Sequence, residues 1–151
     1  MYTIEEYDKE KSKVLKYILY KKRSKQEVKN KFYNTIESEM LDDIIEELEE
    51  NGYIDDNNYI ERAVKEYMAL NNLSLKEVRY KLMSKGISSD AIEDYISNHQ
   101  EEMENYEIKS AKTIIIKKQN AMEEEAIIQF LMKKGYKTSN IRQAIELLNE
   151  D

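Results

Sequence analysis

A nine-residue pattern occurs twice in this chain, fifty residues apart. It is S-x-x-E-V-[K/R]-x-K followed by an apolar residue, and it spans residues 24–32 and 74–82. A Ser followed by Glu three positions later is the capping box that opens a helix, and the Val with the apolar residue four positions on marks one buried face. A repeat of this length predicts small units that stack end to end.

A second repeat, offset by 49 residues, predicts how helices end. Residues 82–96 are similar to residues 131–145, and each segment contains a Gly followed by a Ser- or Thr-containing turn. Gly is favoured just beyond a helix end because it adopts the left-handed conformation there. We therefore expect Gly86 and Gly135 to end equivalent helices, each followed by a helix that Ser or Thr caps. Gly52 is expected to end an earlier helix.

The composition predicts an all-α protein. Among 151 residues there is no Pro and only three Gly, whereas β-rich domains need turn residues. Apolar residues recur three or four positions apart, as in helices. We predict tandem three-helix repeats in an elongated, curved array, with repeat 1 at 1–55, repeat 2 at 56–99 and repeat 3 at 100–151. The nine predicted helices cover 4–22, 25–34, 39–51, 56–71, 75–85, 89–98, 101–118, 123–134 and 139–149.

The same composition argues against most enzyme classes. Without Cys the chain has no thiol nucleophile and no Cys-ligated metal, and its single His, His99, excludes His-based triads. Three Gly leave no glycine-rich phosphate loop. The longest apolar stretch, 113–116, is far shorter than the roughly 20 residues that span a bilayer, and no signal peptide is visible. We expect a soluble, cytoplasmic protein without catalysis, metal, cofactor, membrane partner or small-molecule substrate.

Three stretches of the chain resemble the RecX regulatory proteins, which modulate the bacterial recombinase RecA. The first is 15–32, an apolar helix followed by KKRS and then Glu27-Val28. The second is 52–56 (GYIDD), which is similar to the family's Gly-aromatic-apolar-Asp-Asp signature, and the third is the pair of Leu-Met-x-Lys-Gly turns. The resemblance covers residues 8–149. We expect a mainly structural role for the motif residues Gly52, Tyr53, Asp55, Asp56, Gly86 and Gly135.

This resemblance implies a regulatory function in bacteria. It implies tandem three-helix repeats that dock in the groove of the RecA filament on single-stranded DNA. It further implies inhibition of the ATPase, strand-exchange and coprotease activities of RecA in DNA repair, homologous recombination and the SOS response. The chain departs from the family pattern in being acidic overall and in starting almost at the first repeat.

Charge is segregated, so the net charge of −7 is a sum of opposed patches. Residues 11–31 hold nine Lys/Arg and one acid, 37–66 hold twelve acids and two bases, and 74–86 hold four bases and one acid. Because phosphate contacts come from local patches, we predict a discontinuous basic track facing DNA or an acidic RecA surface. Solvated helix faces with weak ion pairs are the alternative. The candidate contact residues are Lys21, Lys22, Arg23, Lys25, Lys29, Lys31, Lys76, Arg79, Lys81 and Lys85.

Several polar features have structural interpretations. Asp55 suits a helix N-cap and Asp56 the first helical turn, rather than a metal or acid–base pair. The acidic run 42–50 suits a solvated helix face, with contact to a basic partner as the alternative. His99 suits a solvated or hinge position. Most of the twelve Tyr suit core edges, although three lie beside basic stretches where they could stack on unpaired bases: Tyr20, Tyr33 and Tyr80.

Repeat 3 departs from the other two, because Ile128 and Phe130 stand where repeat 2 has Arg79 and Lys81. We expect this helix to be buried against a neighbour or to form an apolar protein contact. An alternative overall function is a stand-alone helical DNA-binding protein that uses its basic second helices, as helix-turn-helix domains do. A helical adaptor without a nucleic-acid role is a third.

Overall fold

The protein is described here from a computed structural model, which covers residues 1–150. Over that range it contains nine α-helices and no strand, so the all-α prediction is confirmed, and each predicted boundary lies within two residues of the observed one. The helices are α1 Ile4–Tyr20, α2 Lys25–Phe32, α3 Ser38–Glu50, α4 Asp56–Leu70, α5 Leu75–Ser84, α6 Ser89–Asn98, α7 Gln100–Lys118, α8 Glu124–Lys134 and α9 Thr138–Asn149.

Apolar residues at helical spacing form three separate cores, one for each successive group of three helices. Val14, Val28 and Ile44 are buried in the first core. The second core is built around α4, α5 and α6, and it also takes Met103 and Tyr106 from the first half of α7. The rest of α7 packs with α8 and α9 in the third core. α7 therefore ties the second core to the third, whereas no helix is shared between the first and the second.

The exposed area reflects this division. The accessible surface is 9837 Å², whereas a compact protein of 18 kDa exposes about 8,000 Å². Small cores in a row cover less of the chain than one large core does. The excess surface is what an elongated array of repeats produces.

Most helix ends form as their local sequence predicts. The Asp55 side chain accepts a hydrogen bond from the Asn58 amide at 3.1 Å, so its predicted N-cap role is confirmed. Gly52, Gly86 and Gly135 all have positive φ, at 81°, 82° and 100°. All three therefore take the left-handed conformation at the helix ends where they were expected.

The predicted Ser or Thr cap fails at one of the two turns. Ser88 caps α6 as expected, with its side chain accepting from the Ala91 amide at 3.2 Å. α9 instead begins at Thr138 itself, after Lys137, and no side chain of its own turn caps it. The Lys137 amide donates to Glu107 of α7 at 2.9 Å. Glu107 thus binds the amide of the N-cap residue, as Glu27 and Glu77 do in the capping boxes of α2 and α5.

Candidate partner-binding surface

Two hydroxyl groups join the second helices of successive repeats. The Ser24 hydroxyl, at the start of α2, donates to the Lys85 carbonyl at the end of α5 at 2.6 Å. The Ser74 hydroxyl, at the start of α5, donates to the Lys134 carbonyl at the end of α8 at 2.7 Å. Both serines are fully buried, and both also form the complete capping boxes that the repeat predicts. The predicted helix cap is therefore also the joint between repeats.

Carboxylates from the following repeat complete each joint. The Lys25 amide in the first turn of α2 donates to Asp56 at 2.9 Å, and the Leu75 amide in the first turn of α5 donates to Glu107 at 2.7 Å. An anion beside a helix N-terminus is stabilised by the unpaired amides and the helix dipole. Asp56 lies in the first turn of α4 as predicted, but its side chain binds the first turn of α2 in the preceding repeat.

The two repeated glycines permit close packing at the same joints. A Cβ added to Gly86 would lie 2.3 Å from Cβ of Gln26 in α2. A Cβ added to Gly135 would lie 2.7 Å from Cβ of Lys76 in α5. Carbon atoms do not approach so closely, so these positions need glycine for the joint as well as for the helix end. Gly52, by contrast, has nothing within 4 Å of such an atom.

These joints place α8, α5 and α2 head to tail in one row. The C-terminus of each helix meets the N-terminus of the next, so their dipoles run in the same direction. Both joints are built from equivalent atoms of successive repeats, as in other arrays of repeats.

The predicted contact residues divide among this row and the end of α1. Lys29 and Lys31 lie on α2, and their counterparts Arg79 and Lys81 lie on α5. Lys76 is at the start of α5, and Lys85 follows its last turn. Lys21, Lys22 and Arg23 form the connection from α1 to α2, and Lys25 opens α2.

Several of the ten candidates make contacts within the protein. Lys25 forms an ion pair with Glu49 at 3.0 Å, and Arg79 forms one with Glu93 at 2.7 Å. The Arg23 guanidinium lies 4.1 Å from the ring centroid of Tyr17. These contacts are the intramolecular ones that the solvated-face interpretation predicts. Contact of any of the ten residues with a partner stays a prediction.

A groove between repeats 1 and 2, called here the junction groove, gathers four cations. Its lining includes Lys21 and Lys22 from the end of α1, Arg62 from α4, and Lys85 from the end of α5. All four side chains are exposed. Lys22 Nζ donates to the Asn58 side chain at 2.6 Å. The remaining lining residues are Tyr59, Ala63, Glu66 and Tyr67.

A second basic groove lies between α5 and α8. Lys76 and Lys81 of α5 line it together with Lys133 and Lys134 of α8, beside the exposed Tyr80. Lys134 also approaches Glu77 at 3.6 Å.

Three residues that line these grooves were not among the ten contact residues predicted from the sequence: Arg62, Lys133 and Lys134. Lys134 had a usable signal, because it precedes Gly135 as Lys85 precedes Gly86, whereas Lys133 aligns with Ser84. Arg62 had none, since it lies within an acidic stretch and only the fold brings it beside Lys85.

The two tyrosines of the junction groove are partly buried, whereas three other tyrosines are exposed. Burial, together with the nearby Glu27 carboxylate, raises the pKa of Tyr59, and burial likewise raises the pKa of Tyr67. Since the ordinary tyrosine pKa of about 10 already keeps the hydroxyl protonated at neutral pH, these shifts do not change its protonation there. In contrast, Tyr20, Tyr33 and Tyr80 are 87%, 67% and 75% exposed. These are the three rings that were expected beside the basic stretches.

A contact between a lysine and an aromatic ring joins the first and second helices of every repeat, but in repeat 3 the two residue types have exchanged helices. In repeats 1 and 2 a second-helix lysine approaches a first-helix Tyr: Lys31 lies 5.7 Å from the Tyr17 ring and Lys81 lies 5.9 Å from the Tyr67 ring. In repeat 3 the aromatic residue is on the second helix, and Lys118 of α7 lies 4.3 Å from the Phe130 ring. The α8 surface is thus half-buried rather than fully covered, with Ile128 and Phe130 packed against the third core.

The acidic and single-His features have structural roles. Glu47 of α3 forms an ion pair with Lys11 at 2.9 Å and accepts a hydrogen bond from Tyr7, and these two donors lower the pKa of its carboxyl. His99 lies between α6 and α7, with Nδ1 2.7 Å from the Tyr95 carbonyl oxygen. Within residues 1–150 there is no cluster of three or more His, Asp or Glu that could hold a metal ion. No helix in that range is both long enough and apolar enough to cross a membrane.

Similar proteins and structures are found by sequence and by fold. No protein-family model matches the chain. Regulatory protein RecX of Streptococcus equi subsp. zooepidemicus is 30% identical over 131 residues, covering 83% of this chain and 50% of that protein. Regulatory protein RecX of Finegoldia magna is 30% identical over 136 residues, covering 81% of this chain and 63% of that protein. The chain thus spans less than two thirds of the length of these relatives.

The fold comparison agrees with the sequence comparison. The crystal structure of RecX from Lactobacillus salivarius superposes with a TM-score of 0.82 at 23% identity, over 99% of this chain and 100% of that one. That protein has the same arrangement of helices over its whole length. Together with the relatives of the same name and the repeated motifs at both joints, this agreement leads to one conclusion: the chain belongs to the RecX family.

Proposed function

We propose that this chain regulates RecA by binding the filament that RecA forms on single-stranded DNA, and that it inhibits the ATPase, strand-exchange and coprotease activities of that filament. The proposal is supported by membership of a family whose curated members are named regulatory proteins. It also draws on the motif resemblance in residues 15–32 and 52–56. Its expected setting is DNA repair, recombination and the SOS response in the bacterial cytoplasm.

The observation that carries the proposal is the row of second helices. Equivalent cations recur on α2 and α5, and the two joints Ser24–Lys85 and Ser74–Lys134 repeat one geometry. At 1.5 Å per residue, a helix of ten residues sets a period of roughly 15–20 Å once the joint is included. A surface that repeats along one direction suits a partner that also repeats, such as a protein filament or a nucleic-acid strand.

Inhibition would follow from bridging rather than from chemistry. Each repeat makes a modest contact, and linkage through the joints raises the combined affinity because later contacts become intramolecular. An array lying across neighbouring subunits opposes the movements that ATP turnover requires. The same array would compete with a second DNA strand for the groove.

The direct test is RecA ATP hydrolysis on single-stranded DNA, measured with and without this protein. We expect the wild-type protein to inhibit at stoichiometric amounts. The double variant Lys31→Glu/Lys81→Glu should lose at least about tenfold in potency, which corresponds to about 1.4 kcal/mol. These lysines are equivalent, exposed and outside every ion pair of residues 1–150.

The matched control is Lys9→Glu/Lys117→Glu, which changes the net charge equally at exposed positions away from the row. It should inhibit like the wild type. An absence of inhibition by the wild-type protein would contradict the proposal. Equal loss in both double variants would show that net charge, not the row, determines binding.

Direct DNA binding without RecA is the second candidate function. It is favoured by the exposed rings of Tyr20, Tyr33 and Tyr80 beside basic residues, since such rings can stack on unpaired bases. Tight binding to an oligonucleotide with a steep salt dependence, but no effect on RecA, would favour this function over the first.

A further inference from the structure

The junction groove brings together four cations from two repeats on one concave surface. Lys21, Lys22, Arg62 and Lys85 line it with one carboxylate, Glu66. Lys11 of α1 and Lys65 of α4, by contrast, form ion pairs with Glu47 and Glu61. None of the four groove cations takes part in an ion pair within residues 1–150. Like charges around a concave surface raise the local potential for an anion.

We propose that the junction groove binds a phosphate group, and that the bound phosphate locks repeat 1 onto repeat 2. The inference does not depend on whether RecA is the partner. Arg62 offers a planar fork of donors and the lysines offer point charges, a combination suited to phosphate oxygens. At about 330 Å³ the groove has room for a phosphate with the groups attached to it.

Two tyrosines of α4, Tyr59 and Tyr67, also line the groove. The Tyr59 hydroxyl is directed to the Glu27 carboxylate, so Tyr67 is the tyrosine whose hydroxyl can donate to a ligand. A protonated hydroxyl donates to a phosphate oxygen without the repulsion that a phenolate would bring. Glu66 lies on the same helix and is exposed, so it weakens the positive potential only partly.

Locking follows from where the four cations originate. Lys21 and Lys22 belong to repeat 1, whereas Arg62 and Lys85 belong to repeat 2. Without a bound anion, the two cations of repeat 1 repel the two cations of repeat 2. A bound phosphate attracts all four and so draws the two repeats together. Lys85 takes part in both features, because its carbonyl accepts a hydrogen bond from the Ser24 hydroxyl and the residue also lines the groove. Phosphate binding is thereby coupled to the hydrogen bond that joins the start of α2 to the end of α5.

The experiment uses the full chain and two probes, inorganic pyrophosphate and a twelve-nucleotide oligo-dT. Binding is measured by calorimetry at fixed ionic strength, and amide hydrogen exchange is followed at Glu27 and Val28 in the first turn of α2. We expect binding, with several-fold slower exchange at these amides, since they bond to Ser24. The variant Arg62→Gln/Lys85→Gln should bind about tenfold or more weakly, since charge-assisted hydrogen bonds are lost.

The control is Lys9→Gln/Lys117→Gln, which removes two exposed cations elsewhere and should bind as the wild type does. Binding of both probes, with selective loss in the groove variant, supports a general phosphate site. Selective binding of the oligonucleotide supports a strand-borne phosphate, and selective binding of pyrophosphate supports a free phosphate compound. If neither probe binds, or if both double variants lose equally, the site is overturned. Binding without slower exchange at Glu27 and Val28 overturns the locking of repeats.

Discussion

The two joints between repeats share a plan but differ in how deeply their carboxylate is buried. At the second joint, Glu107 is 0% exposed and accepts from the Leu75 amide, the Lys137 amide and the Asn140 side chain. At the first joint, Asp56 is only half-buried and accepts from the Lys25 amide. Glu107 thus accepts hydrogen bonds from three groups, whereas Asp56 accepts one.

Further hydrogen bonds near the second joint add to the difference between the two joints. Near the second joint the Tyr106 hydroxyl donates to the Leu73 carbonyl at 2.8 Å and accepts from the Leu73 amide at 3.2 Å, while the Asn71 side chain donates to Thr113 at 2.7 Å. α7 also contributes to both adjoining cores. The contrast teaches that the repeated serine and glycine set the geometry of a joint, whereas the carboxylate and its surroundings set its strength.

Removing Glu107 is expected to have the largest effect. Glu107→Ala leaves two backbone amides and the Asn140 side chain without an acceptor in a buried site, so we expect a loss of about 3 kcal/mol or more in the free energy of unfolding. Asp56→Ala removes one partly solvated acceptor and should cost about 1 kcal/mol. Urea unfolding followed by circular dichroism measures both.

Glu102→Ala, at an exposed position on the same helix as Glu107, serves as the control and should change stability little. Equal losses for Glu107→Ala and Asp56→Ala would mean that the two joints are equally strong, which would remove the contrast between them.

Adding a methyl group at the joints should have the second largest effect. Gly86→Ala combines a positive φ with a 2.3 Å approach to Cβ of Gln26, an atom that cannot swing away from its own backbone. Strain and overpacking together should cost about 2–3 kcal/mol. Gly52→Ala meets open space and carries only the conformational strain, about 1 kcal/mol.

Melting temperatures of the two alanine variants give the comparison directly. A Gly86→Ala variant no less stable than Gly52→Ala would show that close packing does not hold the first joint together.

The pH dependence of the first joint should show the smallest effect. Burial raises the pKa of the Asp56 carboxyl above its ordinary value, despite the opposing hydrogen bond from the Lys25 amide. Because the folded pKa is the higher one, the contribution of Asp56 to stability is present below the unfolded pKa and is lost as pH rises through the folded pKa. Asp56→Asn removes this loss while keeping an acceptor oxygen for the amide.

The measurement is the melting temperature of both proteins from about pH 3.5 to pH 7. The stability of Asp56→Asn relative to the wild type should rise as pH increases across that interval. A difference that stays constant with pH would indicate that Asp56 is not perturbed by burial in the joint.

Local patterns were sufficient for the helices, the caps at Ser24 and Ser74, and the three Gly ends, because each depends on residues only three to five positions apart. The same reasoning failed at α9, where no side chain caps the helix and the carboxylate that binds the N-cap amide, Glu107, lies thirty positions away. Of the candidate cations, the sequence indicated which helices carry them. It did not indicate which acidic residues pair with Lys25 and Arg79.

By itself, therefore, the sequence determined an all-α chain of repeated three-helix units, since helical periodicity and helix ends are properties of short segments. Only the tertiary structure decided that the capping serines also join the repeats. It alone brought Arg62 and Lys85 to one groove and placed Lys118 over the Phe130 ring. Those features depend on side chains that are distant in sequence and meet only after the helices have packed.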